Sequence, residues 1–351
     1  MKKKMQVIAC MITILFALTG CGSQNGTRAS VDGTCAVHFI DVGQGDAALI
    51  QAGDTNTLID TGTSSHYDEL SQYLDAQEVE QLDNLIVTHP DADHMGGAYA
   101  VIADYGVKNF YTTDSTSDSQ AYQKMMRALR QNDLEKQIVS AGDEIDFGED
   151  TEAKVIGPIG EAEDSNENSI VIRLDYGENS FLFTGDTTAR MENRMNEKYD
   201  IDVDVLKVSH HGSDTANGVK FIQDASPIYA VISVGEGNHY GHPDYNVCRR
   251  LKKYSQKGIL RTDEMGSIEI TSDGEELSVD SIKNDEIIEG EHNTSLKKKK
   301  TSGKGSIIGN KNTKVYHSKE EGNLPDEENR VYFSSEKEAK DAGYHACSRC
   351  Y

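Results

Sequence analysis

The stretch "THPDADHMGG", residues 88–97, decides the fold of this chain. It places His89, Asp91, Asp93 and His94 between an apolar run and a pair of glycines. Side chains two apart in an extended segment point to the same side, so His89 and Asp91 can share one metal ion. A turn into a helix would direct Asp93 and His94 towards a second metal ion. The alternative interpretation is a helix cap with surface charge, but a cap needs only one such side chain. Imidazole and carboxylate groups together are a donor set that transition metals prefer.

The composition limits the class of protein. The chain has 351 residues and a formal net charge of −24, from 59 acidic and 35 basic residues. This charge argues against a protein that binds nucleic acid mainly through a basic face. It does not exclude an enzyme that cleaves phosphodiesters, because bound divalent cations supply local positive charge.

The first twenty residues have the pattern of a targeting segment. A cationic start, "MKKKM", precedes a short apolar run ending in "LTGC", residues 18–21, which resembles a bacterial lipoprotein signal. The resemblance implies that residues 1–20 are removed, that Cys21 carries lipid, and that the protein is anchored at the extracellular face of the cell membrane. An ordinary secretory signal or an uncleaved anchor is the alternative. Residues 21–34 would then be a polar tether.

Strand and helix patterns alternate over residues 35–282, which predicts one α/β layered domain. The predicted strands are "AVHFIDV", "DAALIQAG", "TNTLIDTG", "LDNLIVT", "DVLKVSHHGS", "PIYAVISVG" and "GSIEITSDG", with a hairpin formed by "NSIVIRLDYG" and "NSFLFTGD". The predicted helices are "SSHYDELSQYLDAQEV", "AYAVIADYG", "SQAYQKMMRALRQND" and "ARMENRMNEKY". Residues 283–312 are basic and lack apolar periodicity, which predicts a solvated linker, with contact to an anionic polymer as the alternative. Residues 313–351 would form a very small second module.

Several motifs together resemble a known family. "HPDADH" matches the H-x-[HD]-x-D-H signature of hydrolases with the metallo-β-lactamase fold. Other stretches resemble, in the same order, the hydrolase domain of the ComEC competence proteins: "FIDVGQGDAALI" (39–50), "LIDTG" (58–62), "NSIVIRL" (168–174), "LFTGD" (182–186), "LKVSHHGS" (206–213), "YGHPD" (240–244) and "RTDEMGSIEI" (261–270). The resemblance implies a four-layer αββα sandwich with a two-metal site at one edge of the paired sheets.

The resemblance also implies a role for individual residues. Asp186 would bridge the two metal ions. One of His210 and His211 would complete the second metal site, and the other would face the substrate phosphate. His242 would contact phosphate or donate a proton, and Asp60 would orient the ligand loop from behind.

Four further candidates lie beside these motifs. Asp41 and Asp46 flank the glycine turn "VGQG", which suits a position near the site. Asn168 and Ser169 are candidates for positioning the substrate. The alternative for each is an ordinary turn or cap.

Two departures from the lactamase pattern are informative. Asp91 stands where many metallohydrolases have a histidine, and the "NENSIV" region takes the place of an "H-T-P-G-H" motif. Both features are typical of the ComEC-like branch and argue against a β-lactamase. The additional carboxylate suits manganese as well as zinc.

The leading functional hypothesis is a metal-dependent phosphodiesterase, in particular a nuclease that acts on extracellular DNA. Two metal ions would activate a water and stabilise the charge that develops on phosphorus, with Asp93, His211 and His242 as catalytic candidates. The alternatives are a hydrolase of a wall phosphodiester, such as phosphocholine on teichoic acid, and a non-catalytic lipoprotein that binds DNA or cell wall. We expect a monomer that contacts the membrane through its lipid and takes DNA or another phosphodiester polymer as substrate.

The C-terminal residues resemble the small Ada-like metal-binding domain. His317, Cys347 and Cys350 match its ligand pattern, whereas Glu321 stands where the pattern has a cysteine. The resemblance implies one structural zinc ion. A disulfide between the two cysteines and a metal-free module are the alternatives.

Overall fold

The computed structural model describes residues 33–282 and, nearer the C-terminus, residues 307–311, 314–318, 330–333, 339–340 and 342–346. The chain divides into two compact units, Met1–Gly290 and Glu291–Tyr351. Some predicted features lie outside the described residues, namely the signal, most of the tether, residues 283–306 of the linker, Cys21, Glu321, Cys347, Cys350 and the side chain of His317. The expectations for these residues therefore stay predictions.

The strands of the first unit are short and largely buried. They are β1 (Cys35–Phe39), β2 (Ala48–Ala52), β3 (Thr55–Ile59), β4 (Asn84–Ile86), β5 (Asn109–Thr112), β6 (Lys136–Ile138), β7 (Glu144–Ile145), β8 (Thr151–Gly157), β9 (Val171–Tyr176), β10 (Asn179–Phe183), β11 (Val205–Lys207), β12 (Tyr229–Ile232), β13 (Gly258–Arg261), β14 (Ser267–Ser272) and β15 (Leu277–Ile282).

The helices of the first unit fall between these strands. They are α1 (Tyr67–Ala76), α2 (Ala92–Met95), α3 (Ala98–Tyr105), α4 (Gln120–Gln131), α5 (Ala189–Lys198), α6 (Val219–Ala225), α7 (Tyr245–Tyr254) and α8 (Thr262–Met265), with 3₁₀ turns at Ser64–His66 and Ser209–Gly212. No helix in the described part of the chain is long and apolar enough to cross a membrane.

The described strands of this unit form two sheets. The first has the order β15-β14-β1-β2-β3-β4-β5-β6, and the second has the order β13-β12-β11-β10-β9-β8-β7. In the first sheet, β3 to β6 run parallel, and α1, α3 and α4 lie in the connections between them. In the second sheet, β10 to β13 run parallel, with α5, α6 and α7 in the connections. The parallel strands require these long crossovers, which supply the outer helical layers.

Three apolar clusters show how the layers pack. One cluster joins the facing sides of the two sheets, with Phe39 and Ile50 from the first sheet and Ile172 and Phe181 from the second. A second cluster packs α1, α3 and α4 on the outer face of the first sheet. A third packs α5, α6 and α7 on the outer face of the second sheet. The predicted four-layer αββα sandwich is therefore confirmed.

The sequence patterns located most of the elements that end at the site, but not all elements. The predicted hairpin is β9 and β10, which pair antiparallel. Four helices and the strands from β2 to β4 lie within the predicted stretches, and β1 begins one residue before its predicted stretch. We did not predict β5 to β8, β13, β15, α6, α7 or α8, most of which are short.

The second unit contains a small sheet of its own, built from β16 (Ile307–Asn310), β17 (Val315–Ser318), β18 (Arg330–Phe333) and β19 (His345–Ala346). Its described strands have the order β18-β16-β17-β19, around a core that includes Tyr316, Phe333 and Tyr344. The segment predicted as linker up to residue 312 is corrected here, because it contains β16. The apolar pair Ile307 and Ile308 is buried in this sheet, so the linker ends earlier than predicted.

Candidate metal centre

The candidate site lies where parallel strands of both sheets end. β3, β4, β10, β11 and β12 are each followed at once by a loop that carries polar side chains. The C-terminal ends of neighbouring parallel strands lie at one sheet edge, which is where α/β folds place their sites. The side chains contributed by these loops, by α2 and by the 3₁₀ turn Ser209–Gly212 are Asp60, His89, Asp91, Asp93, His94, Asp186, His210, His211 and His242.

Asp60 fixes the orientation of His94. The His94 Nδ1–H donates to Asp60 Oδ2 at 2.7 Å, and both residues are buried. Asp60 also accepts from the Thr88 backbone N–H at 2.8 Å and from the Thr88 hydroxyl at 2.7 Å. With Nδ1 engaged in this way, Nε2 is the His94 atom left to bind a metal ion, as expected for a carboxylate that supports a ligand histidine.

Four side chains converge in one cluster: Asp93, His94, Asp186 and His211. Each has a ligand-type atom within 4.8 Å of those of the others. Asp186 Oδ1 lies 3.1 Å from His94 Nε2, and its Oδ2 lies 3.7 Å from His211 Nε2. Asp93 Oδ2 lies 3.4 Å from His211 Nε2. Asp186 thus occupies the central position expected of a bridging carboxylate.

Unpaired buried atoms in this cluster favour a bound cation. Within the described residues, no hydrogen-bond partner is found for the buried Nε2 atoms of His89, His94 and His211, nor for Asp186 Oδ1. Buried polar atoms without partners are rare, since each costs free energy. Histidine nitrogens and carboxylate oxygens that point at one another fit one or two divalent cations, so the donor set agrees with the predicted metal site.

His89 and Asp91 lie on the other side of His94. The His89 and His94 ring centroids are 4.2 Å apart, and His89 Nε2 lies 3.9 Å from Asp91 Oδ2. His89 Nδ1 is 3.3 Å from the hydroxyl of Ser169, which in turn accepts the Asp186 backbone N–H. The division into a His89–Asp91 pair and an Asp93–His94 pair stays a prediction, and the Ser169 hydroxyl links His89 to the Asp186 backbone.

The two adjacent histidines, left as alternatives by the sequence, have different surroundings. His211 is buried, and its Nδ1–H donates to the Ser233 carbonyl at 2.9 Å, which leaves Nε2 directed at Asp93 and Asp186. The His210 side chain is 22% exposed, with Nε2 3.5 Å from Asp186 Oδ2. Both residues have φ of 51°, a left-handed conformation that costs about 1–3 kcal/mol per residue. His211 is thus the better placed metal ligand, and His210 faces the open side.

Asp46 belongs to the support of the site. Its Oδ2 pairs with Lys207 Nζ at 2.7 Å, and its Oδ1 lies 3.3 Å from His211 Nδ1. Lys207 and Asp46 are both buried. Lys207 therefore holds the Asp46 carboxylate in place beside the Nδ1 atom of His211.

Three other candidates have weaker links to the cluster. Asp41 accepts a hydrogen bond from the Gly43 backbone N–H, which is a turn contact. The Asn168 side chain donates to Asp114 at 3.0 Å and to Ser115 at 2.6 Å. The His242 ring lies 5.7 Å from the His210 ring, at the open side of the site.

Comparison with known proteins assigns the chain to a family. Residues 40–236, more than half of the chain, match the sequence profile of the metallo-beta-lactamase superfamily. The chain belongs to this superfamily. Residues 294–351 match the metal binding domain of Ada.

Relatives within the superfamily include competence proteins. The chain is 32% identical over 284 residues to ComE operon protein 3 of Bacillus subtilis, covering 75% of this chain and 35% of that protein. It is 31% identical over 251 residues to competence protein ComA of Neisseria gonorrhoeae, covering 69% of this chain and 33% of that protein. The chain spans about a third of the length of these curated relatives. Among solved structures, the metallo-beta-lactamase fold protein YhfI from Bacillus subtilis aligns with 67% of this chain and 99% of its own, at 13% identity and a TM-score of 0.48.

These matches confirm the predicted family. The chain is a metallo-hydrolase of the metallo-beta-lactamase superfamily, related to competence proteins, with an Ada-like zinc-binding domain at its C-terminus. The described residues contain a plausible two-metal site of the superfamily.

The carboxylates of this superfamily site control the charge of its histidines. Burial alone would lower the pKa of His211, but Asp186 and Asp46 outweigh burial and raise this pKa to about 10. Burial also opposes the charged form of His94, yet Asp186 and Asp60 hold its pKa well above the usual value. By contrast, burial and the neighbouring His94 lower the pKa of His89. A bound divalent cation therefore competes with protons on His94 and His211.

We did not anticipate Lys207 or Thr88 from the sequence. Thr88 lies inside the quoted stretch, but its role depends on Asp60, which is 28 residues away. Lys207 had a readable signal, because it is a single cation in the apolar run "VDVLKVS". A lysine in a buried strand requires a buried partner, which the structure supplies as Asp46.

Proposed function

We propose that this protein is a metal-dependent phosphodiesterase, and specifically a nuclease that hydrolyses DNA outside the cell. The observation that carries the proposal is the buried cluster of Asp93, His94, Asp186 and His211, whose ligand atoms lie within 4.8 Å of one another. The relationship to proteins named for competence supports a nucleic-acid substrate.

The residues of the site have separable tasks. Two divalent cations would be held by His89, Asp91, Asp93, His94, Asp186 and His211, and would supply an activated water and positive charge for the phosphate oxygens. Asp60 orients His94 and the Ser233 carbonyl orients His211, each by accepting the Nδ1–H of its histidine.

The open side of the cluster is lined by imidazoles. His210 Nε2 lies 3.5 Å from Asp186 Oδ2, and the His242 ring follows at 5.7 Å from the His210 ring. An N–H of either ring can donate a hydrogen bond to a phosphate oxygen. His242 is the side chain on this outer side that can pass a proton to the leaving alkoxide.

The test is a substrate panel with metal-loaded protein that begins at residue 22. Manganese, zinc and magnesium forms are each incubated with a single-stranded oligonucleotide, a plasmid, bis(p-nitrophenyl) phosphate, a phosphocholine ester and a β-lactam. We expect cleavage of DNA and of the small diester. Turnover of the phosphocholine ester with intact DNA would instead support the wall phosphodiesterase.

The site assignment has its own test. Asp93→Ala should abolish DNA cleavage without unfolding the protein, while Asp54→Ala, at an exposed position before β3 and so at the opposite end of that strand from Asp60, should leave activity intact. Circular dichroism separates loss of function from loss of fold. Retained activity in the Asp93 variant would contradict the assignment, and a wild-type protein that binds no transition metal would favour the non-catalytic lipoprotein.

We further propose that lipid on Cys21 anchors the enzyme at the extracellular face of the membrane. The cationic start and short apolar run before "LTGC" support this proposal. Expression of the full chain with Cys21→Ser should shift the protein from the membrane fraction to a soluble fraction and remove labelling by a fatty-acid probe. Unchanged fractionation and labelling would reject lipidation at Cys21.

A further inference from the structure

Two exposed tyrosines, Tyr240 and Tyr245, flank His242 in the sequence. Among the described residues, only four large hydrophobic side chains are strongly exposed: Ile138, Val219, Tyr240 and Tyr245. Tyr240 is 72% exposed and Tyr245 is 57% exposed. Both follow β12 in the segment that carries His242. Exposed aromatic rings beside a candidate site offer apolar surface on which a ligand can pack.

Tyr240 continues a series of groups that leads outwards from the metal cluster. Asp186 lies 3.5 Å from His210, and the His210 and His242 ring centroids are 5.7 Å apart. The Tyr240 ring lies nearly parallel to that of His242, at an interplanar angle of 13° and a centroid distance of 6.0 Å. The tyrosine is therefore placed beyond His242, on the outward path from the metal cluster.

Asn238 holds the loop that presents Tyr240. Its side-chain oxygen accepts the backbone N–H groups of Tyr240 and His242, and its amide donates to the carbonyls of Gly235 and His242. At the end of the loop, the Asp244 N–H donates to the Gly212 carbonyl at 2.9 Å. The tyrosine is thus presented by an organised loop, which lowers the entropic cost of binding a ligand on it.

The helix that follows this loop is basic although the protein is strongly acidic. α7 contains Arg249, Arg250, Lys252 and Lys253 and no acidic residue, whereas the whole chain has a net charge of −24. Among the described residues, no carboxylate forms an ion pair with any of these four side chains. Arg250 donates to the Asn217 carbonyl, so the charge available to an anionic partner lies on Arg249, Lys252 and Lys253.

The exposed charges of α7 share one face with Tyr245. The residues at i, i+4, i+7 and i+8 of the helix lie on the same side, and here they are Tyr245, Arg249, Lys252 and Lys253, which we call the basic face. The Arg249 guanidinium lies 5.8 Å from the Tyr245 ring centroid. From Tyr245 to Lys253 the helix rises about 12 Å, which is long enough to contact a short run of backbone phosphates.

We propose that Tyr240 and the basic face of α7 bind single-stranded DNA beyond the scissile phosphate. A base next to the cleaved bond stacks on Tyr240, and the following phosphates contact Arg249, Lys252 and Lys253. Aromatic stacking with a cationic track is the usual way to bind single strands, since duplex bases are already stacked on one another. This inference rests on the proposed nuclease function and deepens it by naming the strand state of the substrate.

The experiment compares two variants with a charge-matched control in the full-length, manganese-loaded protein. One variant is Tyr240→Ala, with Tyr240→Phe as its conservative partner. The second replaces Arg249, Lys252 and Lys253 with glutamine. The control replaces Lys108, Lys154 and Lys198 with glutamine, which removes the same charge from exposed positions on other elements. The measured quantity is kcat/KM for a single-stranded oligonucleotide divided by kcat/KM for bis(p-nitrophenyl) phosphate.

We expect this ratio to fall roughly 5- to 150-fold in Tyr240→Ala and to be retained in Tyr240→Phe. An abasic nucleotide beside the cleaved bond should remove the difference between wild type and Tyr240→Ala, which a merely structural role would not do. The triple α7 variant should lower the ratio and make the dependence of log kcat/KM on log salt less steep by about 2. The control triple should behave as wild type.

Several results would overturn the inference. If wild type cleaves DNA but neither variant changes the ratio, or if duplex is preferred, the proposed track is wrong while the nuclease function stands. If wild type cleaves bis(p-nitrophenyl) phosphate but no DNA, the nuclease function itself fails. Loss of binding to anionic phosphatidylglycerol vesicles in the triple α7 variant, with DNA cleavage unchanged, would assign the basic face to a membrane surface.

Discussion

Asp60 is the residue on which the orientation of His94 depends. One carboxylate oxygen accepts both the His94 Nδ1–H and the Thr88 hydroxyl, and the other accepts the Thr88 backbone N–H. In Asp60→Asn the side-chain NH₂ replaces one of the accepting oxygens, so at least one of the three hydrogen bonds from Thr88 and His94 is lost. We expect metal affinity to fall by about 10- to 100-fold with a folded protein, as measured by calorimetric titration with manganese or zinc.

Asp104→Asn is the matched control for this substitution. Asp104 also accepts a hydrogen bond from a side chain, the Tyr67 hydroxyl, but lies at the exposed surface. The metal affinity of the Asp104→Asn variant should equal that of wild type. Equal affinity in the Asp60 and Asp104 variants would mean that Asp60 does not support the ligand.

The residue types of the site could be predicted from the sequence, but their separate tasks could not. The four side chains of "THPDADH" are close in the chain, so local geometry brings them together. The choice between His210 and His211 depends on a turn in which both have φ of 51°, and on the Ser233 carbonyl from another strand end. No periodicity in the sequence encodes such a contact.

At the scale of elements, the Lys207–Asp46 pair joins β11 of the second sheet to the β1–β2 loop of the first. Both side chains are buried and 2.7 Å apart. Lys207→Met leaves Asp46 as an unpaired buried charge, so we expect the free energy of unfolding to fall by about 3–5 kcal/mol. Urea denaturation measures this change. The additional substitution Asp46→Asn should restore part of the loss.

An exposed ion pair provides the control for this element. Lys108 pairs with Asp83 at 2.6 Å, but its side chain is 54% exposed. Lys108→Met should change the free energy of unfolding by less than about 1 kcal/mol. If the free energy of unfolding falls equally in Lys207→Met and Lys108→Met, burial of the Lys207–Asp46 pair does not increase its contribution to stability.

α5 carries a buried acid whose titration should affect stability. Glu192 accepts hydrogen bonds from Ser209, Asn217 and Gly218. Burial raises its pKa from 4.5 to about 6, against these hydrogen bonds and the charge of Arg250. Because the folded-state pKa is raised, the protonated carboxyl stabilises the fold below pH 4.5, and this contribution is lost as the pH rises through about 6.

The comparison with Glu192→Gln isolates this contribution, because the amide does not ionise. We expect the free energy of unfolding of wild type, relative to this variant, to fall by about 2 kcal/mol from pH 4 to pH 7. Glu197→Gln, on the exposed side of the same helix, should show no such trend. A pH-independent difference between wild type and Glu192→Gln would contradict the prediction.

The elements themselves were predictable where their patterns were strong. The β9–β10 hairpin and α4 have regular apolar spacing, and both were expected from the sequence. α7 was missed because only Val247 and Leu251 are buried in its ten residues. The helix exists because these two side chains pack on the outer face of the second sheet, which is a tertiary contact.

At the scale of the whole molecule, the fold and the position of the site were predicted mainly from the order of the ComEC-like motifs along the chain. Each motif follows a strand, and parallel pairing brings the strand ends to one edge of the paired sheets. The resemblance therefore implied the four layers and the site together. It could not locate the end of the linker, because burial of Ile307 and Ile308 depends on pairing with β17 and β18.

The two units of the molecule should be separable in function. The candidate metal ligands from His89 to His211 all belong to Met1–Gly290, which has its own apolar clusters. A protein that ends at Gly290 should therefore keep its fold, bind two metal ions and turn over bis(p-nitrophenyl) phosphate. The full chain should hold one additional zinc ion through the Ada-like domain, and this ion should be lost in Cys347→Ser. Metal analysis after zinc loading measures both contents, and an equal zinc content in the full and shortened chains would mean that Glu321 does not permit a C-terminal zinc site.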